Sequence, residues 1–216
     1  MRPMKKMRNT QRGSVLIFLF IGIILFAALA LAVSQGFRLS EGSTGMASEE
    51  KARLDASNVL DFARAVQNGV QEMKLNGVVT SAIDFVRPGD EPAYSTAPHT
   101  AKIFHPNGGK VTFIEAWSSL GATDWYFVEN TVEGIGGSGD ELILSLLGVS
   151  DSMCSQINEI LTGSNAVPAA VADIHDMFEL GTSLVDSAEC APCVGKAAMC
   201  VSGGGGNAFY FVLDRG

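Results

Sequence analysis

The chain has only three histidines, no HExxH spacing, no GxSxG and no second CxxC. The usual signatures of metallohydrolases, serine hydrolases and zinc ribbons are therefore missing. Positive charge is scarce as well. Once Arg2, Lys5, Lys6, Arg8 and Arg12 are set aside, ten Lys and Arg face all 23 acids, a formal charge of −13 from Ser14 onward. Nucleic-acid binding rests on neutralising phosphates with Lys and Arg, and this surface excludes it. Cysteine is confined to four positions, all after residue 153, and charge of either sign is absent from residues 14 to 33.

That uncharged stretch, SVLIFLFIGIILFAALALAV, follows directly on a basic, acid-free leader, MRPMKKMRNTQRG. An apolar run of about 20 residues is long enough to cross the roughly 30 Å hydrocarbon core as a helix. The basic leader keeps the N-terminus cytoplasmic and sends everything after Val33 outward. Three readings of the run compete. A cleavable secretory signal is favoured by Ala28-Leu29-Ala30 and Ala30-Leu31-Ala32, but the run exceeds the usual apolar length of such signals. The others are a plain signal anchor and a prepilin signal cut on the cytoplasmic side.

Residues 12 to 20, RGSVLIFLF, resemble the start of type IV pilins and type II secretion pseudopilins, with Gly13 ahead of a small residue and an unbroken apolar helix carrying Leu16, Ile17 and Leu19. The resemblance implies cleavage by a prepilin peptidase after Gly13 and methylation of Ser14. It also implies a bacterial inner-membrane subunit, crossing once, that packs with other pilin-like subunits into a filament. One departure stands out: the family's usual acid at the fifth mature position is here Phe18, which points to a minor subunit. The resemblance covers about the first quarter of the chain.

Beyond the run, Gly42-Ser43-Thr44-Gly45 reads as a break, since each helical glycine costs about 1 kcal/mol against alanine. A helix should resume near Ser48 and reach Leu75. It places Val59, Ala63, Val66, Val70 and Met73 on one stripe, with Leu60 and Phe62 beside it. The stripe can pack on a sheet, as the resemblance implies, or pair two copies as a short coiled coil.

From Gly77 the texture is β-like. The expected strands are 78–85, 101–105, 110–117, 124–132 and 208–213, with Pro106-Asn107-Gly108-Gly109 as a hairpin turn. Ile103, Phe104, Val111, Phe113, Trp125 and Phe127 are the expected core. Asp140–Leu147 fits either a strand or a helix start. A helix over Ser150–Leu161 should be capped by Ser150 or Asp151 and ended by Gly163, and 164–206 reads mostly as loop. The fold class expected is α+β and pilin-like: a leader (1–13), a long N-terminal helix (14–76, with 14–33 transmembrane) packed on an antiparallel sheet, and one exported domain (77–216) with a disulfide-bonded C-terminal region.

An even cysteine count in an oxidising compartment argues for two disulfides among Cys154, Cys190, Cys193 and Cys200, in any of three connectivities. Linking Cys154 to the 190–200 region would close a loop of about 40 residues, about 3–4 kcal/mol in the chain-entropy model. Cys190-Ala191-Pro192-Cys193 also has the spacing of a redox pair, but no His follows it as haem attachment needs. His99, His105 and His175 are scattered, so each reads as a surface or packed histidine. Gly134 to Gly139 matches GxGxxG in form only, because no βαβ unit surrounds it, and it reads as a turn. Asp140-Glu141 and Asp173 with Asp176 lack EF-hand spacing, so solvated surface is the simpler reading than calcium. No cofactor or metal is expected, and the chain reads as a non-enzyme. A bitopic inner-membrane protein with a periplasmic ligand- or partner-binding domain is the alternative to a filament subunit.

Overall fold

The structure is a computed structural model that describes residues 14–116, 124–137 and 139–216, and within the first helix the side chains of 19–26 and from 49 onward. Its contacts divide the chain into two units, Met1–Glu49 and Glu50–Gly216.

The first unit consists of helical backbone from Ser14; the helix, α1, spans Ser14–Leu75 and so ends in the second unit. Helical geometry persists through Gly42-Ser43-Thr44-Gly45, where a break was expected. The two glycines cost helix propensity without forbidding the conformation. Among the described residues no helix is long and apolar enough to cross a membrane. Of the expected span, only Leu19–Phe26 have described side chains, and the leader with Gly13 lies outside the described residues.

The second unit is α+β. A five-stranded sheet has the order β1-β2-β5-β4-β3, with β1 at Trp125–Asn130, β2 at Glu141–Leu147, β3 at Ala169–Asp173, β4 at Ala198–Gly204 and β5 at Gly206–Asp214. The first four neighbours pair antiparallel, but β3 runs parallel to β4, so the expected all-antiparallel sheet is corrected to a mixed one. The chain reaches β3 from β2 through helix α2 (Asp151–Thr162), and returns to β4 through α3 (Ile174–Phe178) and a short 3₁₀ turn at Ala191–Cys193.

Strand alternation sorts the buried apolar side chains of the sheet into two cores. Trp125, Leu142, Leu144, Leu146, Cys200, Phe209 and Leu213 face α1 and α2, together with the helix stripe from Ala56 to Met73. Ile143, Leu147, Val201, Ala208, Tyr210 and Val212 face α3 and the 190–193 turn. Because both faces are covered, β2 is buried along its whole length. It therefore reads as a continuous apolar run, and periodicity alone left it ambiguous.

Three expected strands are absent. Residues 78–85 hold the 3₁₀ turn Thr80–Ala82 and a single bridge from Asp84 to Lys102, which is all the ladder that 101–105 makes. Residues 110–116 carry no strand assignment, and Trp117 lies outside the described residues. Pro88, Pro92, Pro98 and Pro106 punctuate this region, and each lacks the N–H a ladder needs. The 106–109 turn forms, but it joins packed loops rather than strands. Ile103, Phe104, Val111 and Trp125 are nonetheless buried as expected, with Phe113 and Phe127 half-buried against them. The segment 164–206, expected as loop, supplies β3, α3 and β4. The small residues of AAVAD and AMCVSGG have little strand propensity of their own, and pairing of β4 to β5 and of β3 to β4 overrides it.

Candidate functional site

Ser14 is the first residue of α1. Beginning five residues on, Leu19, Phe20, Ile21, Ile23, Ile24, Leu25 and Phe26 are all exposed, from 48% to 78%. They cover more than two helical turns, so they surround the helix instead of forming one stripe. A helix that is apolar all round belongs in an apolar medium. Each such side chain gains about 1.5–3 kcal/mol when it leaves water, which makes this stretch the strongest driving force for association on the described surface.

The C-terminal part of α1 is already engaged. Phe62 packs on Trp125 with ring centroids 4.7 Å apart, and the backbone at Gly69 comes so close to Val111 and Ile103 that a Cβ would meet their side chains at 2.5 and 2.8 Å. Beside the apolar stripe runs a polar one at i, i+4 and i+7. Gln67 donates to the Val212 carbonyl (3.0 Å), Gln71 to the Leu213 carbonyl (3.5 Å), and Lys74 to both carboxylate oxygens of Asp214 (2.6 Å). These residues bond the end of β5 beyond the reach of β4, whose pairing stops at Ala198 opposite Phe211. The sequence signal was present in the spacing, but only pairing shows which carbonyls are left open.

Asp214 also accepts from the Thr80 hydroxyl at 2.6 Å. Burial alone would push its carboxyl up, but the bonds from Lys74 and Thr80, the Lys74 charge and the Gln71 bond outweigh burial and hold it below the usual carboxylate value. A depressed folded-state pKa contributes stability that is present above the ordinary Asp range and is lost as pH falls through the folded value. Lys74→Met leaves desolvation unopposed by charge, so its acid-unfolding midpoint should lie at higher pH than in the parent chain. Circular dichroism across an acid titration reads this directly, and coincident midpoints would refute it.

The four cysteines form Cys154–Cys200 and Cys190–Cys193, one of the three connectivities left open by their spacing. All four residues are fully buried, in positions closed to exchange with an external thiol. Cys154–Cys200 closes a separation of 46 residues and ties α2 to β4. One turn further along α2, the Asn158 amide donates to the carbonyls of Cys200 (2.7 Å) and Ala166 (2.9 Å), and its oxygen accepts the Cys200 N–H (2.9 Å). Asn158 thus takes the place of a neighbouring strand residue along β4, ahead of Ser202, where β3 joins. Sequence reasoning missed it, because a mid-helix Asn in a loop-flanked helix carries no signal of what it will meet. The helix ends were legible: Ser150 accepts the Met153 N–H, and Gly163 closes α2 at φ 74°.

The three histidines do not converge on one site. His175 pairs with Glu179 at 2.6 Å, while His99 stacks on His105 at 4.2 Å. The glycine run 134–137 turns the chain from β1 into antiparallel β2 with positive φ at Gly134 and Gly136, and no helix follows as a dinucleotide site needs. Glu141 departs from the solvated reading: it is fully buried, with Oε2 accepting the Val132 N–H and Oε1 without a partner among the described residues. Among the described residues no group of three or more His, Cys, Asp or Glu converges on a metal position. A concavity of about 650 Å³ forms an open groove between α1 and residues 109–114, lined by Phe62, Ala65, Gly69, Val111 and Ile114. Its rim charges are already paired, Asp61 with Arg64 and Glu72 with Lys110. Compared with family models, curated proteins and solved structures, the chain finds no match in any of the three.

Proposed function

We propose that the chain is a non-catalytic, pilin-like filament subunit, of the minor kind, inserted in a bacterial inner membrane, cut after Gly13 by a prepilin peptidase, and anchored by its apolar helix until it packs into a filament. The observation that carries this reading is the exposed apolar helix at Leu19–Phe26, directly behind the Arg12-Gly13-Ser14 joint. Such a surface is stable in lipid, and it remains stable when lipid contacts are exchanged for the equally apolar helices of neighbouring subunits. Two further features support the reading. The same helix continues into a domain where its other end is clamped to a disulfide-bonded sheet. The described surface also presents many acids and few cations to partners.

Phe18 in place of an acid removes the carboxylate that would meet a neighbour's terminal ammonium inside a filament, and this fits a low-copy position. Intact-mass and N-terminal peptide mass spectrometry on the chain from its host membranes tests the proposal. The expected product begins at N-methylated Ser14 and copurifies with other pilin-like chains, and Gly13→Leu should retain the leader. A native chain that keeps Met1–Gly13 would replace this reading with the bitopic anchor. A start after Ala32 would make the protein a secreted domain.

A further inference from the structure

A basic cluster with no carboxylate of its own holds residues 93–109 together. The Lys102 side chain is buried, and its ammonium is caged by the carbonyls of Ala93, Tyr94 and Thr96. The Tyr94 hydroxyl donates back to the Phe104 carbonyl (3.1 Å). His105 lies with its ring 5.2 Å from that of Tyr94 and stacked on His99 at 4.2 Å, the two imidazoles within 8° of parallel. Its Nδ1 accepts the Asn107 N–H at 3.1 Å, which places the ring proton on Nε2 and makes the bonded form neutral. With the backbone bonds from the Gly108 N–H to the His105 carbonyl (2.9 Å) and from the Gly109 N–H to the Lys102 carbonyl (3.0 Å), this bond holds the turn in which Gly108 passes so close to the Lys102 and His99 carbonyls that a Cβ would meet them at 2.0 and 2.7 Å.

We infer that residues 93–109 are an acid-released latch on α1, with His105 as the group whose protonation opens it. A proton on Nδ1 turns the acceptor of the Asn107 N–H into a donor, so two donors then face each other. It also adds a cation against the His99 ring and beside the Lys102 ammonium. Burial, with His99 and Lys102 in that order, holds the His105 pKa below the ordinary imidazole value. The carboxylates nearest in the chain are committed: Asp84 accepts from the Val86 N–H, Asp90 from the Arg87 N–H and Glu91 from the Ser95 hydroxyl. On the α1 side, Glu72 is paired with Lys110. Added positive charge therefore meets no unengaged carboxylate among these groups.

Because the folded ring binds its proton less tightly than the freed ring, the closed state is favoured at neutral pH and gives way as pH falls below the ordinary imidazole range. The latched segment runs directly into residues 109–114, the outer wall of the α1 groove. Phe104, Ile103 and the adjoining Val111 are its grips on the helix: the Phe104 ring stacks on that of Phe62 at 6.4 Å, and the Ile103 and Val111 side chains pack against the helix backbone at Gly69. Acidification thus widens access to the face of α1 around Ala65 and Gly69. The latch is independent of whether the chain enters a filament.

Amide hydrogen exchange on the full chain in detergent micelles, at pH 7.5 and 5.0 and corrected for intrinsic rates, tests the latch. In the parent chain, opening of residues 93–112 should rise about fivefold or more at pH 5.0 while β2 and β5 stay unchanged. In His105→Asn, whose Oδ1 accepts the Asn107 N–H without titrating, this rise should vanish. A rise that persists in His105→Asn, no rise in the parent chain, or an equal rise across the sheet would each overturn the inference. If His105→Asn does not fold, His99→Phe keeps an aromatic ring in the stack and removes the imidazole that helps lower the His105 pKa. The His105 titration midpoint, followed by NMR, should then move upward, and an unmoved midpoint would overturn it.

Discussion

Asn158→Leu should lower the unfolding free energy of the Glu50–Gly216 unit by about 4 kcal/mol, because three backbone groups lose their partners in a buried place, each at about 1–3 kcal/mol. Those groups are the Cys200 N–H and the carbonyls of Cys200 and Ala166. Leucine keeps the branched heavy-atom skeleton of the amide and leaves no cavity, so the loss reports mainly on the hydrogen bonds. Asn158→Asp should also be destabilising: its carboxylate still accepts the Cys200 N–H but turns an anion toward two carbonyl oxygens. Denaturant unfolding of the full chain in detergent gives the number. A loss below about 1 kcal/mol for Asn158→Leu would mean that water or β3 replaces the amide, and that Asn158 does not stand in for a strand.

Removing the Cys154–Cys200 bond, by Cys154→Ala with Cys200→Ala, should cost about 4 kcal/mol through the freed loop of 46 residues. Removing Cys190–Cys193, only three residues apart, should cost about half of that in the same chain-entropy model. Comparing the two pairs by denaturant midpoint tests the ordering, and a larger loss from the 190–193 pair would reverse the assignment of which bond staples the domain. Cys154 and Asn158 lie one turn apart on α2 and hold the same residue of β4. Combining Asn158→Leu with the Cys154/Cys200 change should therefore fall short of the sum of the separate losses, since once α2 has left β4 the second contact has less to lose.

These two effects centre on a part of the chain that the sequence reads as helix followed by loop. The helix was legible because its ends follow local rules: Ser150 offers an oxygen to a free N–H, and Gly163 accepts positive φ. The loop reading failed because β4 and β3 are made of small residues whose strand conformation is imposed by neighbours. The opposite error occurred at 78–85, 101–105 and 110–116, where β-branched and aromatic residues are abundant. There the same side chains fill the core from irregular backbone, held by the Lys102 carbonyl cage and the stacked histidines rather than by a ladder. Residue type told which groups would be buried, and pairing decided what backbone carried them.

The α1 stripe from Val59 to Met73, the apolar run behind Gly13, the two caps of α2, the strands β1 and β5 and the oxidised state of four cysteines all follow from patterns within a few turns of chain. They depend on periodicity, backbone sterics and composition, which are local. The disulfide pairing, the mixed sheet with β3 parallel to β4, the burial of Glu141 and Lys102, and the stand-in role of Asn158 belong to the tertiary structure alone. Each joins groups far apart in the chain. A polar side chain is driven inside only where a distant backbone group meets it, and no local pattern records that meeting.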